Sequence, residues 1–359
     1  MGKKFTKKII TENGREFLGF SFGADTDAVC ELVFNTSVVG YQELITDPAC
    51  ANQAVVMTYP LIGNYGITDE DNESRTPVIS GLVAREYNDL PSNFRYTRTL
   101  SETLEENGIV GISGVDTREI TRMLRDEGNM RCLITSPDVK LEDGLKKISE
   151  TPIPKNLIAK VSCKKRWYSR TADFKYNVVV IDCGVKHNII RTLNKCACNV
   201  TIVPYNTTAE EITALCPDGL VVSGGPGNPA DAKEVIETVK ALKGKLPIFG
   251  ICTGHLIMCL AAGAEIVKMK SGHHGGNHPV KRLSDGKLET TSQGHSYVAV
   301  EESLKKVNLK VTHLNVLDGT VEGIESEENK FFSVQYRPEG APGPADSGYL
   351  FDKFIKMMQ

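Results

Sequence analysis

The chain has 359 residues, of which 40% are hydrophobic and 24% charged, with a net charge of −3 and a pI near 6.2. The near-neutral charge and the lack of a long stretch of like charges exclude the basic surface typical of nucleic-acid-binding proteins. The sequence contains no apolar run of the roughly 18 residues needed to span a membrane, so it predicts a cytoplasmic protein without membrane contact. Its ten cysteines are scattered, as expected for reduced thiols, and its length predicts two domains.

Residues 1–150 contain short segments with β propensity, for example 28–35 and 53–58, followed by a helical pattern over 116–124. Glycine and proline are frequent between them, which predicts a mixed α/β domain. The pattern breaks over 151–176, where the basic stretch 164–170 contains the only tryptophan. We interpret 151–176 as a linker. A basic linker is usually a solvated connection, and docking onto a partner is the alternative.

From residue 177 to 359 the sequence pattern predicts alternating strands and helices. Strands are predicted over 178–182, 200–204, 219–223 and 246–251, separated by helices over 186–193, 209–215 and 233–242. Such alternation predicts a doubly wound, mostly parallel sheet. Ligands of these sheets bind beyond the carboxyl ends of the strands, so Cys252 and the loop 223–229 are expected in one crevice.

Cys252 follows a predicted strand and precedes a predicted helix, with Gly250 and Gly254 two residues away on either side. This arrangement is typical of a nucleophile elbow, in which a sharp turn exposes the reactive side chain at a helix N-terminus. The helix dipole and free amides there favour a thiolate. We therefore predict that Cys252 is a nucleophile, and that most of the other cysteines are inert buried thiols.

The glycine-rich loop 223–229 permits more than one interpretation. By itself it is compatible with a phosphate-binding loop or a plain turn. Next to a nucleophilic cysteine, the amides of Gly225 and Thr253 are suited to donate hydrogen bonds to the oxyanion that forms when a thiolate attacks a carbonyl. The implied chemistry is acyl transfer through a thioester, which requires a base and a carboxylate that orients it.

Nearly the whole chain resembles the small subunits of carbamoyl phosphate synthase, which are class I glutamine amidotransferases with a catalytic triad. The matching segments are residues 35–43, 46–48, 59–64, 115–118, 182–186, 223–229, 250–255, 268–280, 342–344 and 350–352. The resemblance implies hydrolysis of L-glutamine and transfer of ammonia through a tunnel to a large, ATP-using subunit, contacted mainly by the first domain. It implies no cofactor in this subunit and a role in pyrimidine or arginine biosynthesis.

The chain departs from this family at the base of the triad. The family has Cys, His and Glu, with the last two in a His-Pro-Glu tripeptide, whereas this chain has Arg337-Pro338-Glu339. A guanidinium keeps its proton at any accessible pH, so Arg337 cannot accept the proton of Cys252 or give one to ammonia. Arg337 could still stabilise a thiolate, and Glu339 would then be its salt-bridge partner.

The resemblance also assigns the substrate pocket. The family motifs Cys-Leu-Gly-His-Gln and Gln-Asn-His-Gly-Phe are altered here, and two polar partners for glutamine are replaced by Leu256 and Gly294. Ser37, Gly225 and Gly227 match glutamine-contacting positions of the family. The altered motifs place five further residues in the predicted pocket: Thr253, Leu256, Gly294, Ser296 and Tyr297.

Two groups of histidines are candidate substitutes for the missing base or candidate metal ligands. His255 and His295 are histidines in the family even when the triad is complete, so we expect structural roles for them. His273, His274 and His278 lie in a glycine-rich family loop, and no metal site is predicted there.

These departures predict a small subunit with an impaired glutaminase that stabilises or regulates an ammonia-using synthetase. One alternative is an active glutamine amidotransferase with a rearranged base. The other is a non-catalytic paralogue in which Arg337 binds the carboxylate or phosphate of a different small molecule.

Overall fold

The computed structural model describes residues 4–359, which form two compact units divided between Pro154 and Lys155. From Lys155 onward, the segment predicted as a linker belongs to the second unit and contributes a helix and an edge strand to it. The N-terminal part is a mixed α/β unit and the C-terminal part contains a largely parallel sheet, which confirms the predicted fold class. None of the helices in the described residues is both long and apolar enough to cross a bilayer.

The first unit is a closed barrel of seven strands in the order β1-β2-β8-β6-β4-β3-β9, with parallel pairing from β3 through β4 and β6 to β8. Its elements are β1 (Lys7–Thr11), β2 (Glu16–Gly23), β3 (Ala28–Asn35), α1 (Tyr41–Ile45), β4 (Gln53–Met57), β5 (Leu61–Ile62), β6 (Gly81–Val83), β7 (Glu86–Tyr87), α2 (Leu100–Glu106), β8 (Val110–Ser113), α3 (Thr117–Glu127), β9 (Met130–Thr135) and α4 (Leu141–Glu150).

Helix α3 shows how local sequence sets the ends of an element in this unit. The Asp116 carboxylate accepts a hydrogen bond from the Glu119 amide at the N-cap, and the helix ends at Gly128, whose φ is 104°. An acceptor at the N-cap satisfies an amide that has no partner within the helix, and glycine adopts positive φ without steric cost. The helix predicted over 116–124 is therefore confirmed and extends one turn further.

The second unit is built on a ten-stranded sheet. Its elements are α5 (Leu157–Val161), β10 (Trp167–Ser169), β11 (Tyr176–Asp182), α6 (His187–Lys195), β12 (Cys198–Pro204), α7 (Ala209–Thr213), β13 (Gly219–Val222), α8 (Lys233–Leu242), β14 (Ile248–Ile251), α9 (Thr253–Ala261), β15 (Ile266–Arg282), β16 (Leu288–Ala299), α10 (Glu301–Lys306), β17 (Lys310–Asn315), β18 (Val321–Ser326), β19 (Phe331–Val334) and α11 (Tyr349–Met357).

The strand order of this sheet places the candidate site. The sheet runs β10-β12-β11-β13-β14-β19-β18-β17-β15-β16, and the five strands β12, β11, β13, β14 and β19 are parallel. The β-branched runs of these strands are buried on both faces, as expected when helices cover a parallel sheet. The chain order reverses at β11, so the carboxyl ends of β11, β13 and β14 flank a topological switch point, where such sheets bind ligands.

His273, His274 and His278, interpreted from the sequence as part of a glycine-rich loop, lie in the long strand β15. This strand pairs antiparallel with β16, with irregularities between Lys268 and His273 and between Gly275 and His278. These bulges and the many glycines interrupt the alternation of polar and apolar residues, so the strand gives no period-two signal. The hairpin of β15 and β16 carries the residues Gly294 to Tyr297.

Candidate active site

Cys252 occupies a sharp turn between β14 and α9 and has φ 54° and ψ −110°. A positive φ at a residue other than glycine is uncommon, and such strain persists where the surrounding structure holds it. The flanking glycines serve close packing and do not themselves adopt positive φ. A methyl group at Gly250 would lie 2.3 Å from the Met258 sulfur, and one at Gly254 would lie 2.1 Å from the Val222 carbonyl oxygen. The turn predicted from the sequence is present, and its strain is concentrated at the cysteine.

The environment of the Cys252 sulfur combines burial with a helix N-terminus. The residue is only 2% exposed, and its Sγ lies 3.9 Å from the carbonyl oxygen of Gly294 on β16. Cys252 is the N-cap of α9, so the first amides of that helix face the turn. The helix dipole at this end favours negative charge on the sulfur.

The loop after β13 lies next to this turn, because β13 and β14 are parallel neighbours. A methyl group at Gly224 would be 3.5 Å from the Cys252 Cβ. The Thr253 hydroxyl donates a 2.5 Å hydrogen bond to the Gly225 carbonyl oxygen, which ties the loop to the first residue of α9. The structure therefore brings together the two residues whose amides were expected to serve as oxyanion donors.

Arg337 follows β19, the other parallel neighbour of β14. Its backbone amide donates a 2.9 Å hydrogen bond to Ser292 on β16, and its Nη2 lies 3.4 Å from the Gly294 carbonyl oxygen. The side chain is buried, with the whole residue 5% exposed. The guanidinium and the Cys252 sulfur thus approach the same carbonyl oxygen, that of Gly294.

Glu339 forms a buried ion pair with Lys186. Its Oε1 lies 3.3 Å from Lys186 Nζ, and both side chains are almost fully buried. The Lys186 ammonium also donates to the Gly340 carbonyl oxygen, and Asn188 donates to that of Glu339. The structure thus gives Glu339 an ion pair with Lys186, the N-cap residue of α6, and the expected ion pair of Glu339 with Arg337 stays a prediction.

The remaining pocket residues occupy several environments. Leu256 is 2% exposed within the apolar core of the second unit, and Tyr297 packs against that core. Gly227 has φ 82°, and a methyl group added to it would be in ordinary van der Waals contact with Leu157. Ser296 is half-buried on β16, between Gly294 and the end of the strand. Ser37 is buried in the first unit, where its amide bonds to the Asn35 side chain.

His255 and His274 are buried near the turn and are poor bases. Burial lowers the pKa of each to about 3, and at His274 the positive charge of Arg337 lowers it further. His255 Nδ1 is 2.9 Å from the Ser333 hydroxyl, so its ring is engaged in a structural contact. At neutral pH both rings are uncharged, and neither readily accepts a proton.

His273 and His295 form a polar network centred on Gln293. The Gln293 Oε1 is 2.9 Å from a ring nitrogen of each histidine, and its amide nitrogen is 2.9 Å from Glu322. Burial alone would lower the pKa of His273, but Glu322 and Asp318 together raise it above its usual value. At His295 burial holds the pKa well below the usual value.

Potential metal-ligating atoms of His273, His295 and Glu322 all lie within 4.8 Å of one another. This set differs from the His273, His274 and His278 cluster seen in the sequence. Its atoms are already joined by the hydrogen bonds to Gln293, and we propose no metal site.

Two family models match the chain. The description "Carbamoyl-phosphate synthase small chain, CPSase domain" covers residues 9–134, and "Glutamine amidotransferase class-I" covers residues 179–357. The chain is 46% identical to a carbamoyl phosphate synthase pyrimidine-specific small chain of Bacillus subtilis, over 98% of this chain and 96% of that protein. It is also 46% identical to carbamoyl phosphate synthase small chains of Listeria innocua, over 98% and 97% of the two chains, and of Staphylococcus epidermidis, over 98% and 95%.

Proposed function

Because the chain belongs to the family of carbamoyl phosphate synthase small chains, we propose that it is a small subunit whose glutaminase is impaired by Arg337. Its partner is the large subunit, which uses ATP and receives ammonia. The relative in Bacillus subtilis is named pyrimidine-specific, which favours pyrimidine over arginine biosynthesis as the pathway served.

The reaction that the site would perform begins with attack of the Cys252 thiolate on the γ-amide carbon of glutamine. The amides of Gly225 and Thr253 would donate to the oxyanion, and the C–N bond would then break to leave a γ-glutamyl thioester. The departing nitrogen must gain a proton to leave as ammonia, and the water that later attacks the thioester must lose one. In the family a histidine transfers both protons.

Arg337 cannot perform either transfer, since guanidinium stays protonated throughout the accessible pH range. The loss of a positioned acid/base typically reduces a rate by a factor of about 100–10,000. The neighbouring histidines offer little compensation, because burial lowers the pKa of His255 and His274 to about 3. The observation that carries the proposal is a buried arginine at the base position, next to the carbonyl oxygen that the nucleophile also faces.

The test is an assay of the complex between this chain and its own large subunit. We expect carbamoyl phosphate synthesis to proceed with ammonium chloride and to be weak with glutamine, and glutamate release to be weak with or without the large subunit. Cys252→Ser is the matched control, because it removes the nucleophile while leaving ammonia-dependent synthesis intact. Glutamine turnover close to that of ordinary family members, and abolished by Cys252→Ser, would contradict the proposal and indicate a rearranged base.

A further inference from the structure

Gly294 lies directly against the guanidinium of Arg337. An added methyl group at this glycine would lie 2.3 Å from Nη2, 2.7 Å from Cζ and 3.1 Å from Nη1. Carbon atoms of side chains do not approach other heavy atoms so closely, because repulsion rises steeply inside van der Waals contact. The present position of the guanidinium therefore requires a residue without a side chain at position 294.

The backbone of Arg337 is fixed to the same strand, so the whole residue cannot simply move away. Its amide donates to the Ser292 carbonyl oxygen at 2.9 Å, and the Ser292 hydroxyl donates to the Pro342 carbonyl oxygen at 2.8 Å. The segment is thus attached to β16 at the arginine itself and again at Pro342. Displacement by a methyl group at position 294 would therefore fall on the end of the Arg337 side chain.

We propose that Gly294 is a positioning residue for Arg337, which lets the guanidinium lie against β16 at the carbonyl oxygen of Gly294 that the Cys252 sulfur also approaches. The resemblance implies asparagine at position 294 and histidine at position 337 in the family, so the two departures of this chain would form one coupled change. The pocket thereby gains a cation where the family has an amide side chain. This inference rests on the proposed function only for the role of Cys252 as nucleophile, and the packing of Gly294 against Arg337 is independent of it.

Alanine is a suitable probe at position 294. The residue lies in strand β16 and its φ is outside the left-handed region, so alanine suits the backbone. The atoms that the new methyl group would meet are the far end of a flexible side chain. We therefore expect Gly294→Ala to displace the guanidinium from the Gly294 carbonyl oxygen, and so from the surroundings of the sulfur, while the fold is retained.

The test is a double-mutant cycle of wild type, Gly294→Ala, Arg337→Ala and the double variant. The readout is the alkylation rate of Cys252 by iodoacetamide at pH 7, resolved by peptide mass spectrometry. Cys216, an exposed thiol remote in sequence, provides the internal reference. Melting temperature and the rate at Cys216 show whether a variant is folded.

We expect Gly294→Ala to slow alkylation of Cys252 by about 3- to 10-fold where Arg337 is present. A nearby cation stabilises the thiolate relative to the thiol, and the thiolate is the form that iodoacetamide alkylates. In the Arg337→Ala background the same substitution should change the rate less than about twofold. An equal effect in both backgrounds, no effect in either, or acceleration in the presence of Arg337 would overturn the inference. If Gly294→Ala alone failed to fold but the double variant folded, that rescue would itself support the coupling. Active glutamine turnover would contradict the proposed function without altering this cycle.

Discussion

Replacement of Arg337 by histidine provides the base that the family uses, yet we expect it to restore only part of the glutaminase. A positioned acid/base is worth a factor of about 100–10,000 in rate. The pocket still lacks the amide at position 294, and a missing buried hydrogen-bond partner costs about 1–3 kcal/mol, or roughly 5- to 150-fold. Arg337→His alone should therefore remain well below an ordinary family member.

Because Gly294 packs against the guanidinium, the effect of a substitution at position 294 depends on the residue at position 337. Asparagine at position 294 would place its Cβ 2.3 Å from Arg337 Nη2, so Gly294→Asn alone should gain no activity. Together with Arg337→His it should raise activity above the single histidine variant, because the guanidinium is absent. The assay is glutamate release per active site, in complex with the large subunit. Full activity in Arg337→His, or a gain in Gly294→Asn alone, would refute this reasoning.

Three further predictions concern stability. The pKa of His255 is about 3 when folded and about 6.5 when unfolded, so the unfolded chain binds more protons between these values and stability should fall as pH falls through that window. The free energy of unfolding, measured with urea, should fall by up to about 1.4 kcal/mol per pH unit because of this residue. His255→Gln should make that pH dependence less steep. An unchanged slope in the variant would argue against a buried neutral ring. Lys186→Met removes the lysine that pairs with the buried Glu339 carboxylate and should lower the free energy of unfolding by about 3–5 kcal/mol. Adding Glu339→Gln should recover part of this loss. If the losses of the two single variants simply added in chemical denaturation, the pairing would be contradicted. Gly254→Ala forces a methyl group to within 2.1 Å of the Val222 carbonyl oxygen and should lower the melting temperature strongly, while Gly224→Ala, whose methyl group has ordinary contacts at 3.5 Å, serves as its matched control.

The parallel half of the second unit could be predicted well from the sequence. The strand expected over 178–182 is β11, Tyr176–Asp182, and the strand expected over 246–251 is β14, Ile248–Ile251. Runs of β-branched residues buried on both faces give a signal that does not depend on contacts remote in sequence. The hairpin of β15 and β16 gave no such signal, because its bulges and glycines break the alternation.

The candidate site could be predicted in part. The turn at Cys252 was predicted from its flanking glycines, although the structure assigns the positive φ to the cysteine and close packing to the glycines. The ion pair of Glu339 with Lys186 could not be predicted, since it joins residues far apart in the chain. The same holds for the contact of Gly294 with Arg337, which depends on the antiparallel bridge between Arg337 and Ser292 of β16.

Rapid mixing of the complex with radiolabelled glutamine, followed by acid quench and isolation of the Cys252 peptide, tests the central claim most directly. The account predicts that a γ-glutamyl group on the Cys252 sulfur does not both form and discharge at the rate of an ordinary family member, because Arg337 can neither accept nor return a proton. An adduct that formed and discharged at that rate would contradict the account.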